Sequence, residues 1–171
     1  MSKIIDEQNY EQSLISYKQA YQEWLEQITL AEKVLKKEEK VLLEVIEEIN
    51  PFKEICDLGT YLDIMFKESI LYIELNVHSQ NIIPNKVKSL LKSGKLSVKD
   101  MPKSTYNELY QDYICSAILR IAREIFAILG VDEVVITAKD ELLNKSTGHE
   151  ELLPILSVLI SKHKFESLNL N

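Results

Sequence analysis

His149, Glu150 and Glu151 stand in a row, and His163 follows further along the chain. Two imidazoles and two carboxylates are zinc-ligand types. Three ligands from this set would need His163 brought back beside His149. The surrounding Asn144-Lys-Ser-Thr-Gly-His-Glu-Glu151 has the composition of a solvated turn, so no metal site is expected. Glu38-Glu39-Lys40 has the E-x-K spacing that metal-dependent nucleases carry on a β-strand. Here it sits inside a helical repeat, which excludes that chemistry. Asp140 and Glu141 are adjacent acids, but acid–base work across a cleft needs a facing acid, and nothing nominates one. They read as a solvated strand end. Cys56 and Cys115 fall in apolar helical patterns and read as buried reduced thiols.

The nucleotide and hydrolase signatures are missing: no G-x-x-x-x-G-K-[ST], no G-x-G-x-x-G, no G-x-S-x-G, no H-E-x-x-H, no C-x-x-C. Glycines only at 59, 94, 130 and 148 cannot build a phosphate-cradling loop. No cofactor is expected, and the residues favour a non-enzymatic role. Function therefore has to be sought in the elements and the surfaces they present.

The chain has 171 residues, 46% hydrophobic and 27% charged, enough apolar material for a buried core and too much for whole-chain disorder. A net charge of −7 argues against a protein that coats nucleic acid non-specifically. No uninterrupted apolar run approaches the roughly 18–20 residues of a membrane span, so no membrane partner is expected. The acidic start, Met1-Ser-Lys-Ile-Ile-Asp-Glu7, lacks a secretory h-region, and the cytoplasm is the expected compartment.

From Tyr10 to Ile49 apolar residues alternate at spacings of four and three. One seam set is Leu14, Tyr21, Ile28, Leu35, Leu42 and Ile49; the other is Tyr10, Tyr17, Trp24, Ala31, Glu38 and Val45. This heptad register predicts a long coiled-coil-like helix over residues 1–50. A helix cannot fold back on its own stripe, so it needs a partner: a second copy (a homo-oligomer), the rest of the chain, or another helical protein. Leu14, Tyr21, Trp24, Ile28, Leu35 and Leu42 are the expected partner-binding residues. Glu38, within Lys36-Lys-Glu-Glu-Lys40, marks either a polar register residue or a local break. Eleven acids against six bases over 1–50 exclude this arm from gripping DNA.

Asn50-Pro51 ends the arm and opens an α+β globular domain over 51–171. Phe52 to Leu58 reads as a short helix closed by Gly59, and Thr60 to Lys67 as a further helical turn or two. Residues 69–78 alternate as a strand, with Leu71, Ile73, Leu75 and Val77 on one face and His78 at a solvent-facing end. Residues 86–103 carry Lys86, Lys88, Lys92, Lys95, Lys99 and Lys103 against the single acid Asp100, and read as a helix-turn-strand. Solvated surface is one use for this stretch. A nucleic-acid contact through Lys86, Lys88, Lys92, Lys95 and Lys99 is another, and docking to an acidic partner a third. Thr105-Tyr-Asn-Glu108 has the spacing of a capping box ahead of a broad apolar helix that ends at Gly130. The β-branched run after Gly130 and Leu152–Ser161 then form a hairpin with an irregular tip.

The run Tyr110-Gln-Asp-Tyr-Ile-Cys-Ser-Ala-Ile-Leu-Arg-Ile-Ala-Arg-Glu-Ile-Phe126, followed by Val134-Val-Ile-Thr137, Asn144-Lys-Ser-Thr-Gly148 and Pro154-Ile-Leu-Ser-Val158, resembles an accessory α+β region of larger bacterial coiled-coil proteins. That region is sometimes adjacent to a restriction-endonuclease-like domain. The resemblance spans about residues 65–170 and rests on packing and turn residues. It implies a non-catalytic module of a bacterial cytoplasmic assembly, one handling DNA or defence.

Overall fold

A computed structural model describes residues 2–56, 60–77 and 82–169. Gly59 and His78, for which a helix stop and a strand end were expected, lie outside the described residues. The fold is α+β, with a long N-terminal helix followed by a mixed helix-and-strand region. The chain divides into two compact units, Met1–Glu44 and Val45–Asn171.

The first unit is dominated by α1 (Ser2–Leu35), about 50 Å long at 1.5 Å per residue. The expectation of one helix continuing to Ile49 is corrected at Lys36–Glu38. Glu38 N–H reaches back to the Lys33 carbonyl (3.2 Å), Lys37 N–H to that of Val34 (2.9 Å), and Lys37 adopts φ 57°. This is a Schellman stop, with lysine in the left-handed position that glycine usually fills. The three residues at the break are charged, so no apolar contact rewards continuing the rod. Then α2 (Glu39–Ile49) begins. Gln22, Leu25, Glu26, Thr29, Leu30 and Lys33 of α1 share a shallow groove with Val41 and Glu44 of α2, so the start of α2 runs back beside α1.

Val41, Leu42 and Ile46 of α2 are buried, whereas Glu39, Lys40, Glu44, Glu47 and Glu48 stay exposed. Asn50, at φ 47°, terminates α2, its N–H bonded to the Ile46 carbonyl (2.9 Å). Asparagine tolerates that conformation, and Pro51 cannot extend the helix. A single turn, α3 (Lys53–Cys56), follows.

The second unit is organised by a four-stranded sheet in the order β1 (Tyr61–Lys67), β2 (Ile70–Val77), β5 (Glu133–Leu143), β6 (Glu150–Ser161). β1 and β2 are antiparallel, β2 and β5 parallel, and β5 and β6 antiparallel. β1 replaces the helical turns expected over 60–67. Leu62, Ile64 and Phe66 alternate with more exposed neighbours, and Glu68 and Ser69 (φ 52° and 64°) form the two-residue turn that twists β1 onto β2. The predicted inner face of β2 holds: Leu71, Ile73, Leu75 and Val77 are all buried.

The parallel crossover from β2 to β5 carries a separate two-stranded ribbon, β3 (Lys86–Leu90) with β4 (Leu96–Asp100), in place of the expected helix-turn-strand. It then carries α4 (Lys103–Ile128). This helix starts at the Pro102 cap without a side-chain cap hydrogen bond, so Thr105–Glu108 is its first turn and not a capping box. Ile114, Ile118, Ile121, Ala122, Ile125 and Phe126 are its buried residues. It ends at extended Leu129, one residue short of Gly130, which takes no left-handed φ.

β5 and β6 make the expected hairpin, with an extra residue, Ile155, inserted between the Ala138–Leu156 and Lys139–Pro154 pairs. Pro154 therefore sits at a bulge on an edge strand, where its missing N–H is tolerated. A short helix, α5 (Lys162–Glu166), closes the unit, with Phe165 against Phe126 at 5.5 Å between ring centroids.

Candidate interaction surfaces

The seam on α1 is built from side chains the helix cannot cover itself. Leu14 (39% exposed), Tyr21, Trp24 and Ile28 (37%) face solvent in succession. Tyr17 and Tyr21 stack at 6.3 Å, and Tyr21 meets Trp24 at 5.6 Å, so the aromatics form a continuous ladder. Each large apolar side chain gains about 1.5–3 kcal/mol when fully buried, which makes this row costly to leave wet. At about 100° per residue, the groove shared with α2 lies about a third of a turn from the seam, so the back-folded helix leaves the ladder open. Two proposed seam members behave differently. Leu35 is the last residue of α1 and is 82% exposed; Leu42 is on α2, 1% exposed, and presents nothing to a partner.

The five lysines of the second candidate surface lie on the β3–β4 ribbon. Alternation sets Lys86 and Lys88 on one face, with Leu90, Leu96, Val98 and Asp100. Val87, Ser89, Ser97 and Lys99 occupy the other. Lys92 and Lys95 flank the turn, where Gly94 (φ 78°) donates to the Leu91 carbonyl and Leu91 N–H to the Lys95 carbonyl, both at 2.9 Å. Met101 N–H bonds the Asn85 carbonyl (2.8 Å) and closes the ribbon's base.

A buried polar group escaped the reading of the strand. Asp140, for which a solvated strand end is expected, is 2% exposed. Val134, Ile136 and Ala138 point inward, and Asp140 occupies the next inward position, paired in register with Val77. The alternation itself carried that signal. Tyr110 donates to Asp140 Oδ2 (2.9 Å), and Glu141 N–H to Oδ1 (2.9 Å). Burial first, then the bond to the carboxylate, push the Tyr110 phenol well above its ordinary value. Buried Thr60 meets the Tyr113 hydroxyl at 3.2 Å nearby. This set reads as polar satisfaction of a core rather than as a reactive centre: both carboxylate oxygens are engaged.

At the hairpin tip, Thr147 Oγ1 donates to Glu151 Oε1 and Asn144 Nδ2 to Oε2 (2.7 Å), and these bonds, the first above all, hold the Glu151 carboxyl below its ordinary range. His149 lends its carbonyl to Asn144 N–H (2.8 Å) and is exposed. Among the described residues no group of three His, Cys, Asp or Glu side chains could hold a metal ion. Cys115 is half-buried, but Cys56 is exposed at the end of α3, correcting the expectation of two buried thiols; they are not joined in a disulfide. Glu38-Glu39-Lys40 lies across the α1–α2 break, not on a strand. Among the described residues no helix is long and apolar enough to cross a membrane. In comparisons with known proteins, no family model, curated protein or solved structure matches the chain.

Proposed function

We propose that the protein is a non-enzymatic adaptor of a bacterial cytoplasmic complex, and that it self-associates through α1. The observation that carries this reading is the open ladder of Leu14, Tyr17, Tyr21, Trp24 and Ile28 on a helix whose adjacent face already borders α2. A second copy supplies the same ladder and buries both rows at once, a self-complementary arrangement of the kind two-fold dimers use. The bulky aromatics favour a loose helical pairing over a tight two-stranded zipper, since β-branched and leucine side chains fill the holes of the latter.

Light scattering tests the reading. The wild type is expected at a multiple of 19.8 kDa, and the Tyr21→Glu, Ile28→Glu double variant at 19.8 kDa with its circular dichroism retained. A monomeric wild type, or a variant whose mass does not fall, overturns it.

A further inference from the structure

We infer that the β3–β4 ribbon is an arm that enters the major groove of duplex DNA tip first. Every residue of the two strands is exposed except half-buried Ser97, so this element is not packed into the core that surrounds α4. A two-stranded ribbon with no covered face is marginal on its own. Its shape is nonetheless fixed at both ends, by the Met101–Asn85 bond and by the Gly94 turn.

Charge narrows the class of partner. Five lysines and one acid are concentrated here in a chain of net charge −7. None of the five is ion-paired among the described residues. Their placement narrows it further. Lys86 and Lys88 project from one face, Lys99 from the other, and Lys92 and Lys95 from the tip. A flat anionic partner, such as a bilayer or an acidic protein face, meets only one side of a ribbon. A groove walled by phosphates meets both. One sheet layer is about 10 Å thick with its side chains, and the B-DNA major groove is about 12 Å wide.

The tip supplies the remaining feature. Leu90 and Leu96 face each other across the ribbon at 76% and 61% exposure, with Leu91 beside them. Leu91, exposed at the turn itself, reaches the groove floor and meets thymine methyl groups, which only the major groove displays. The deep, narrow major groove of A-form RNA does not admit the ribbon, so the duplex is DNA. The ribbon is separate from the α1 seam, and this inference does not rest on self-association.

Fluorescence anisotropy of the full chain with a labelled duplex of about 20 base pairs is the test. Five phosphate contacts predict a log–log salt slope near −4.5, so affinity falls roughly 500-fold between about 50 and 200 mM salt. Lys86→Gln, Lys88→Gln and Lys99→Gln combined should flatten the slope to about −2 and weaken binding at low salt. Leu91→Ser should weaken binding and leave the slope alone. Lys145→Gln with Lys164→Gln, exposed lysines elsewhere, should change neither. No binding at low salt overturns the inference. So does binding that the triple variant leaves intact, or equal affinity for an RNA duplex. Capture by phosphatidylserine vesicles with no DNA binding replaces the groove with a lipid surface and overturns it as well.

Discussion

α1 and α4 are both long helices with apolar residues repeating at three and four, and they meet opposite fates. Ile114, Ile118, Ile121 and Ile125 of α4 are buried, whereas Leu14, Tyr21, Trp24 and Ile28 of α1 are exposed. The period states that a stripe has to be covered; it does not name the cover. For α4, the cover comes from the chain's own second unit, whose strands β2 and β5 bracket the helix in sequence and pair in parallel. Within the first unit, the back-folded start of α2 occupies a neighbouring face of α1 and leaves the ladder uncovered.

Substitutions can break this contrast. Ile121→Ala should cost about 2–5 kcal/mol in urea denaturation, because a fully buried side chain leaves a cavity. Ile28→Ala should cost the monomer less than about 1 kcal/mol and show itself in solution mass instead. Equal losses at the two sites would mean that the α1 stripe is covered after all. Within the α4 face, Tyr110→Phe should cost about 1–3 kcal/mol, since buried Asp140 loses a donor. A neutral result would show that the carboxylate finds another donor.

At the end of α1, Lys37→Gly should add about 0.5–1 kcal/mol by relieving the left-handed lysine. A loss of stability would show that Lys37 contributes through its side chain. The smallest effect is expected at Glu151. Its carboxyl is lowered in the folded state, so its contribution is present above the unfolded value near 4.5 and disappears as pH falls through the folded one. Protection of the Gly148 amide, its exchange rate set against the intrinsic rate at each pH, should fall over that acidic window in the wild type and stay level in Glu151→Gln.

Legibility followed the range of the interactions. β2, α4 and the β5–β6 hairpin could be read because their apolar patterns run long enough to overrule local alternatives. Tyr61–Lys67 was misread as helical because Thr60 and Asp63 offer a local helix start. The pairing that makes the segment a strand depends on β2, through a Glu68–Ser69 turn lacking the usual glycine or asparagine. Lys86–Asp100 failed likewise: leucines at 90, 91 and 96 suit a helix face as well as a ribbon tip, and the ladder decided. The α1 seam positions were legible, yet their continuation through Leu42 was not. Heptad spacing survives a turn whose residue count preserves the register, whereas the Schellman hydrogen bonds depend on backbone geometry that spacing does not encode. Asp140 was legible by alternation and was missed because a carboxylate is ordinarily assigned to water.

The kink at Ile155 bears on how copies of the chain can gather. Among the described residues β6 is a twelve-residue border with one side unpaired, the kind of rim onto which a neighbour's strand can zip. The self-association proposed for α1 would raise the local concentration of such rims. An inserted residue and a proline without a hydrogen to give spoil the repeat that end-to-end stacking needs. That irregularity disfavours strand-by-strand growth along β6.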